Sequence, residues 1–411
     1  MQNTPKSLRL HVGIFGRRNV GKSSLLNAIT RQQVSIVSEF AGTTTDPVEK
    51  PMELLPLGPV LFVDTAGVDD EGALGELRMA RTRSVLDRVD LGVLVTEAGG
   101  WGGFEESLLG ELTSRRVPVL VVFNKRDLRP PAEAETARLR DVGVPAVAVS
   151  APTGDGLAEL REALIRLSPA EFFESRRLVS DLVPPGETAV LVVPIDKEAP
   201  KGRLILPQVM TIRDLLDGGS IAVVAQAHEL RRTLEGLRRP PALVVTDSQA
   251  FAEVAADVPR EVPMTSFSIL MARFQGDLAA QVRGTLAIDR LGEGDRVLIA
   301  ETCTHHPIGD DIGRVKIPRW LQEYVGAALE FEHVQGRDFP ATPGLGRYRL
   351  IVHCGNCTGN RREMISRIHR SITAGVPITN YGLTIAYSLG ILERALVPFP
   401  AALEAFHAAA V

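Results

Sequence analysis

Short apolar runs recur in the first part of the chain, at residues 10–15, 60–63, 91–95, 117–123 and 146–149. Between them, apolar positions fall at helical spacing, as in 22–30 and 158–167. Continuous apolar runs bounded by turn residues read as strands, and their alternation with amphipathic helices predicts a doubly wound, largely parallel sheet. Ser168-Pro169 closes this unit, 1–168. A middle unit, 169–262, starts mixed and charged and is punctuated by Pro184-Pro185-Gly186. Its pattern predicts strands at 189–194, 221–225 and 242–246, with helices at 208–216 and 229–237. A core of about 80 residues is only marginally self-sufficient, so pairing with a second copy is expected. A third unit, 263–411, has apolar strands at 297–300 and 349–352 and ends in an alanine-rich helix. The whole reads as an α/β chain of three units.

Composition narrows the functional classes. At 45% hydrophobic and 23% charged the chain is globular, and its net charge is −4. Neither that charge nor an aromatic content of 5% suits a nucleic-acid binder, which usually carries a basic surplus. No signal-peptide pattern and no membrane-spanning apolar run occurs, so a cytoplasmic address with no membrane partner is expected.

Gly16-Arg17-Arg18-Asn19-Val20-Gly21-Lys22-Ser23 fits the pattern G-x4-G-K-[ST], placed after a strand and opening a helix. In that context the backbone from Gly16 through Asn19, Val20 and Gly21 to Ser24 wraps phosphates. Lys22 reaches the β- and γ-phosphates, and Ser23 binds Mg2+. Three further motifs follow in the order of a GTPase. In Asp64-Thr65-Ala66-Gly67, Asp64 holds Mg2+ through water and the Gly67 amide senses the γ-phosphate. In Asn124-Lys125-Arg126-Asp127, Asp127 reads the guanine edge, which selects GTP. Ser150-Ala151 closes over the base. Thr44, in the loop 41–46, is the expected switch threonine on Mg2+. Lys22, Asn19 and Gly67 stand nearest the chemistry. Val68 occupies the place of a water-positioning glutamine, so hydrolysis must draw help from elsewhere. This set resembles the translation-factor-related GTPases of the Era and tRNA-modification type. That resemblance implies K+ on Asn19; read alone, Asn19 serves equally as a loop residue capping the helix.

The three cysteines lie in two patches, Cys303-Thr304-His305-His306 and His353-Cys354-Gly355-Asn356-Cys357, each following an apolar strand. Loops beyond the carboxyl ends of parallel strands meet in a crevice. The spacing fits structural zinc held by three Cys and one His, or a 4Fe-4S cluster on three cysteines with an open or histidine-held fourth position. The adjacent Arg314, Lys316, Arg319, Arg361 and Arg362 read as a solvated face or as a cationic rim.

The order of motifs is more specific. A GTPase unit and a small middle unit are followed by C-T-H-H-P, D-D-I-G-R-V-K-I-P-R-W, H-C-G-N-C, N-R-R-E-M and P-I-T-N-Y-G. Over essentially its whole length the chain resembles the maturation GTPases of iron-only (FeFe) hydrogenases, the HydF family. The resemblance implies a 4Fe-4S cluster on Cys303, Cys354 and Cys357, with His305 and His353 as possible further ligands. It also implies a transient diiron precursor delivered to apo FeFe-hydrogenase, exchange with radical-SAM maturases, and a homodimer through the middle unit. The chain departs from the expected H-C-G-G-C-M at Asn356 and Thr358-Gly359, which bears on loop shape and leaves the ligand residues intact. The alternative is a zinc-stabilised GTPase that binds ribosomal RNA. Radical-SAM chemistry by this chain is disfavoured, because no C-x3-C-x2-C occurs.

Overall fold

The structure is a computed structural model describing residues 4–30, 48–55, 57–65, 82, 84–169, 172, 176–194, 204–303, 311–336 and 338–409. It comprises two compact units, Met1–Ser175 and Arg176–Val411.

The first unit is built on a six-stranded sheet. Its strands are β1 (Leu10–Phe15), β2 (Val48–Leu54), β3 (Gly58–Asp64), β4 (Leu91–Glu97), β5 (Val119–Asn124) and β6 (Ala146–Ala148), in the order β2-β3-β1-β4-β5-β6. All neighbours are parallel except β2 and β3. Successive residues feed two cores, as alternation across a strand requires. Val60 and Phe62 join Leu25, Leu26 and Ile29 of the helix Lys22–Thr30 on one face. Leu61 and Val63 join Leu108 and Leu112 of the helix Gly103–Ser114 on the other. Strand β2 was not expected from the pattern. It is polar, partly exposed and contains Pro51, which an antiparallel edge tolerates because one row of its backbone groups is unpaired.

The second unit carries two four-stranded parallel sheets. One joins β7 (Thr188–Val192), β8 (Ile221–Ala225), β9 (Leu243–Thr246) and β10 (Met264–Ser266) in the order β10-β9-β7-β8. The other joins β11 (Arg296–Glu301), β12 (Glu330–Gln335), β13 (Leu350–His353) and β14 (Ile378–Asn380) in the order β12-β11-β13-β14. The middle sheet thus has four strands where three were expected, and the fourth lies past residue 262. A three-residue strand offers no period to read. The helix Phe267–Gln275 follows at once and buries Phe267, Ile269, Leu270, Met271 and Ala272. A helix apolar on nearly every side is an interior helix. It packs against the helices Leu206–Asp217, Arg361–Thr373 and Tyr381–Ser388, so elements of both sheets share it. Arg394 adds a second tie, donating to the carbonyls of Ala255, Val258 and Pro259 at 2.9, 2.7 and 2.9 Å.

Candidate functional sites

The phosphate-loop candidate leaves β1. Gly16 has φ 145° and Gly21 φ 87°. A Cβ on Gly16 would lie 2.2 Å from the Val95 carbonyl oxygen, and one on Gly21 would lie 2.3 Å from Asn124 Nδ2, so both positions require glycine. Asn19, exposed, adopts φ 61°, a left-handed conformation that asparagine tolerates. Lys22 is buried and donates through Nζ to the carbonyls of Gly16 (2.9 Å) and Arg17 (2.6 Å). The ammonium is thereby laid along the loop. Ser24 is half-buried one position after Ser23.

Ser23 donates to Asp64 Oδ2 at 2.8 Å, which joins the helix start to the end of β3. Asp64 is buried, and burial raises its pKa; Ser23, Lys22 and Lys50 pull in the opposite sense. Its Oδ1 is buried with no hydrogen-bond partner among the described residues. A buried carboxylate oxygen left over beside a serine hydroxyl fits a hard divalent cation such as Mg2+. Thr44 and Gly67 lie outside the described residues.

Asn124 connects the two halves of the nucleotide motif. It is 2% exposed, donates through Nδ2 to the Val20 carbonyl (2.9 Å) and accepts at Oδ1 from the Ala151 amide (3.3 Å). Lys125 has φ 59° and pairs with Glu97 at 2.5 Å. Asp127 is exposed at the end of this turn, as a group that meets a ligand should be. Ser150 is fully buried and accepts from the Thr153 amide at 3.3 Å. One contact escaped sequence reasoning altogether. Arg17 donates from Nε and Nη2 to the two oxygens of Glu105, at 2.8 and 3.0 Å, and stacks over Phe104. Glu105 is fully buried and also accepts from the Gly102 amide. Eighty-eight positions separate the partners, and no local pattern signals them.

The cysteine candidate sits on the carboxyl edge of the third sheet. Strands β11 and β13 are parallel neighbours with Ala300 opposite His353, so the chain leaves them side by side towards Cys303 and Cys354. All three cysteines are half-buried residues. Burial, then the neighbouring Cys354 and Cys357, pushes the Cys303 thiol up to about 12. Burial and Cys354 push Cys357 up to about 11, and burial raises Cys354. Charge on Cys354 opposes ionisation of both Cys303 and Cys357. Three soft thiol donors in two segments at one sheet edge suit iron or zinc by their chemistry. Among the described residues, no three His, Cys, Asp or Glu side chains are drawn into metal-holding geometry. His305 lies outside the described residues.

His353 faces elsewhere. Its ring is fully buried, with Nδ1 donating to the Cys354 carbonyl at 2.8 Å and Nε2 accepting from Arg367 at 2.9 Å. In this arrangement both ring nitrogens are engaged within the fold, one by a backbone carbonyl and one by a guanidinium. Burial and the Arg367 charge hold its pKa down at about 3. Arg367, itself 2% exposed, also donates to Gly336 O and Glu363. The basic residues nearby are partly committed to structure as well. Arg361 donates to the Gly276 carbonyl and Lys316 to Gln249. Beside Cys303, buried Glu301 accepts from Tyr381 and Gln335, both at 3.0 Å, a network with no sequence signal.

Three family models match the chain. Residues 11–125 match a 50S ribosome-binding GTPase, residues 178–276 the hydrogen maturase F dimerization domain, and residues 279–398 the hydrogen maturase F tetramerization domain. The chain belongs to the hydrogen maturase F family. Its GTPase domain is more widely shared. The tRNA modification GTPase MnmE of Paraburkholderia xenovorans is 37% identical over 160 residues, 39% of this chain and 34% of that protein. GTPase Der of Wolinella succinogenes is 35% identical over 177 residues, 41% of this chain and 37% of that one. The hydrogen maturase F chain thus spans about a third of the length of these curated relatives. Among solved structures, Era of Aquifex aeolicus bound to GDP and AlF4− aligns with 22% identity and a TM-score of 0.36, covering 53% of this chain and 93% of that one. Among the described residues, no helix is long and apolar enough to cross a membrane.

Proposed function

We propose that this chain is a GTP-hydrolysing scaffold that holds a 4Fe-4S cluster and assembles or delivers a diiron precursor to apo FeFe-hydrogenase, in exchange with radical-SAM maturases. The observation that carries this reading is the pairing of two sets of residues in a chain of the hydrogen maturase F family: a hydrogen-bonded Ser23–Asp64 pair beside the Gly16–Ser23 loop, and three cysteines in two segments at one sheet edge.

In the first unit, GTP phosphates replace the Gly16 and Arg17 carbonyls as partners of Lys22 Nζ. Ser23 and Asp64, with Thr44, hold Mg2+, which offsets the charge on the phosphates. Asp127 pairs with the guanine edge, and Ser150-Ala151 shields the base. Gly67 senses the γ-phosphate. K+ on Asn19 supplies part of what an arginine finger gives other GTPases, about 10³–10⁵ in rate. In the second unit, Cys303, Cys354 and Cys357 hold the cluster, whose iron left without a thiolate supplies an exchangeable coordination position. The cytoplasm is the proposed address.

Self-association has a candidate surface. Strand β8 is a sheet edge, with Ile221 and Val224 51% and 48% exposed. The adjacent helix Leu206–Asp217 exposes Val209 and Leu216. A parallel edge flanked by exposed apolar residues is a template for pairing with a second copy.

The deciding experiment is anaerobic purification with metal and sulfide analysis. A brown protein with iron and acid-labile sulfide in equal amounts supports the reading. A colourless protein with one zinc overturns it in favour of the ribosomal-RNA GTPase, a reading the 50S ribosome-binding match to 11–125 keeps in view.

A further inference from the structure

Asn356, between Cys354 and Cys357, has φ 55°, a left-handed conformation that glycine would occupy with less strain. It is nonetheless 1% exposed and its amide is fully engaged. Oδ1 accepts from Thr302 Oγ1 at 2.7 Å, and Nδ2 donates to the Asn360 carbonyl at 2.9 Å. Thr302 is the residue before Cys303 in the other cysteine segment. Its backbone N–H donates to Cys354 Sγ at 3.3 Å, and its hydroxyl accepts from the same sulfur at 3.7 Å. Gly359 makes room for this arrangement: a Cβ there would lie 2.2 Å from Asn356 Oδ1 and 2.8 Å from Thr302 Cγ2.

We propose that Asn356 and Thr302 form a positioning pair that fixes the two cysteine segments against each other before metal arrives, and that aims the Thr302 N–H at Cys354 Sγ. The Nδ2 bond to Asn360 locks the amide, so Oδ1 can only face Thr302. Because Oδ1 holds the Thr302 hydroxyl proton, the hydroxyl oxygen is turned to accept from the Cys354 thiol. When that thiol becomes a thiolate ligand, the backbone N–H remains as its donor. An amide donor to a ligating sulfur withdraws charge and raises the potential of an iron–sulfur centre. The pair is not a ligand set; it acts through Cys354. The inference rests on the reading of the three cysteines as metal ligands.

The test uses the full chain in two forms. In the metal-free protein, the rate of iodoacetamide labelling at Cys354 is followed by mass spectrometry. In the reconstituted protein, the reduction potential of the cluster is measured. Thr302→Val removes the hydroxyl and keeps both shape and N–H; Asn356→Gly suits the backbone and removes the amide. Each should speed Cys354 labelling about five- to tenfold, the loss of about one hydrogen bond, and lower the potential. Thr302→Ser should restore wild-type values. The double variant should fall well short of the product of the single effects, because both single changes break the Asn356–Thr302 contact. Wild-type labelling and potential in both single variants, or effects that multiply in the double variant, overturn the proposal. If Asn356→Gly unfolds, Thr302→Val compared with Thr302→Ser decides it; if Thr302→Val unfolds, Asn356→Gly decides it. Failure of wild-type protein to take up iron and sulfide overturns the functional reading instead, and leaves the labelling result to stand by itself.

Discussion

Acid should weaken the first unit through one buried histidine. His11, in β1, is 2% exposed, and its Nε2 donates to the Lys6 carbonyl at 3.0 Å. Its Nδ1 is buried with no hydrogen-bond partner among the described residues. Lys6, Arg88, Glu49 and Asp90 surround it, Asp90 through the His11 backbone amide. Burial, followed by the Arg88 and Lys6 charges, lowers its pKa from 6.5 to about 4. Glu49 opposes this only partly. It stays ionised because, against burial, hydrogen bonds and charge from Lys6 and Arg88 hold its own pKa at about 2. Folded His11 is therefore neutral between pH 6.5 and about 4, where the unfolded chain binds a proton. Stability must fall as pH drops through that window and level off below it. At about 1.4 kcal/mol per pH unit the full window amounts to roughly 3 kcal/mol. The assay is urea unfolding followed by Trp101 fluorescence in a Trp320→Phe background, since the chain has two tryptophans and Trp101 packs on the core of the first unit. His11→Gln keeps a donor for Lys6 and removes the titration. Wild type should lose about 3 kcal/mol more than His11→Gln between pH 7 and pH 4. Equal losses in the two proteins would refute the reasoning.

Asn124→Ala strips partners from the buried Val20 carbonyl and the Ala151 amide, and should cost the nucleotide-free first unit about 2–4 kcal/mol in the same assay; a loss below about 0.5 kcal/mol would show that Asn124 acts only on bound base. GTP hydrolysis should run faster in potassium than in sodium at equal ionic strength, and Asn19→Ala should erase the difference; equal wild-type rates would remove K+ from the site. Cys303→Ser, Cys354→Ser and Cys357→Ser should each abolish most bound iron and sulfide while sparing GTP turnover, whereas His353→Gln should retain the cluster because both ring nitrogens are already used. Val224→Lys should shift the sedimentation of the protein towards monomer with little change in fold; an unchanged oligomer would move the interface away from β8.

What was readable in the sequence was what is contiguous. The phosphate loop, the Asp64 and Asn124 motifs and the buried parallel strands each occupy a few consecutive residues, and their order alone signalled a GTPase. The class of the fold followed from the same alternation. Strand β2 was missed because its residues are polar, and β10 because it is three residues long. The Arg17–Glu105 pair and the Glu301 network join residues far apart in the chain, which no spacing encodes. His353 was read as a possible ligand from its neighbours in sequence. What its neighbours in sequence did not show is its packing: His353 shares a face with Ile351, which belongs to the core with Phe339 and Ile368, and the His353 ring itself lies against Phe339.

The side-by-side exit of β11 and β13 has a consequence for how this chain can change length. The two cysteine segments are adjacent because their strands are paired, with Ala300 opposite His353, and not because the intervening chain holds them there. Its described residues run through the helix Ile317–Val325, the outer strand β12 and the short helix Thr342–Leu345 before β13. Insertions and deletions at the ends of β12 are therefore absorbed away from the cysteine segments. A single residue added within β11 or β13 would instead shift the pairing that sets the two cysteine segments side by side. The spacing through β12 is thus the loosest part of the motif, and the register of β11 against β13 is the strictest.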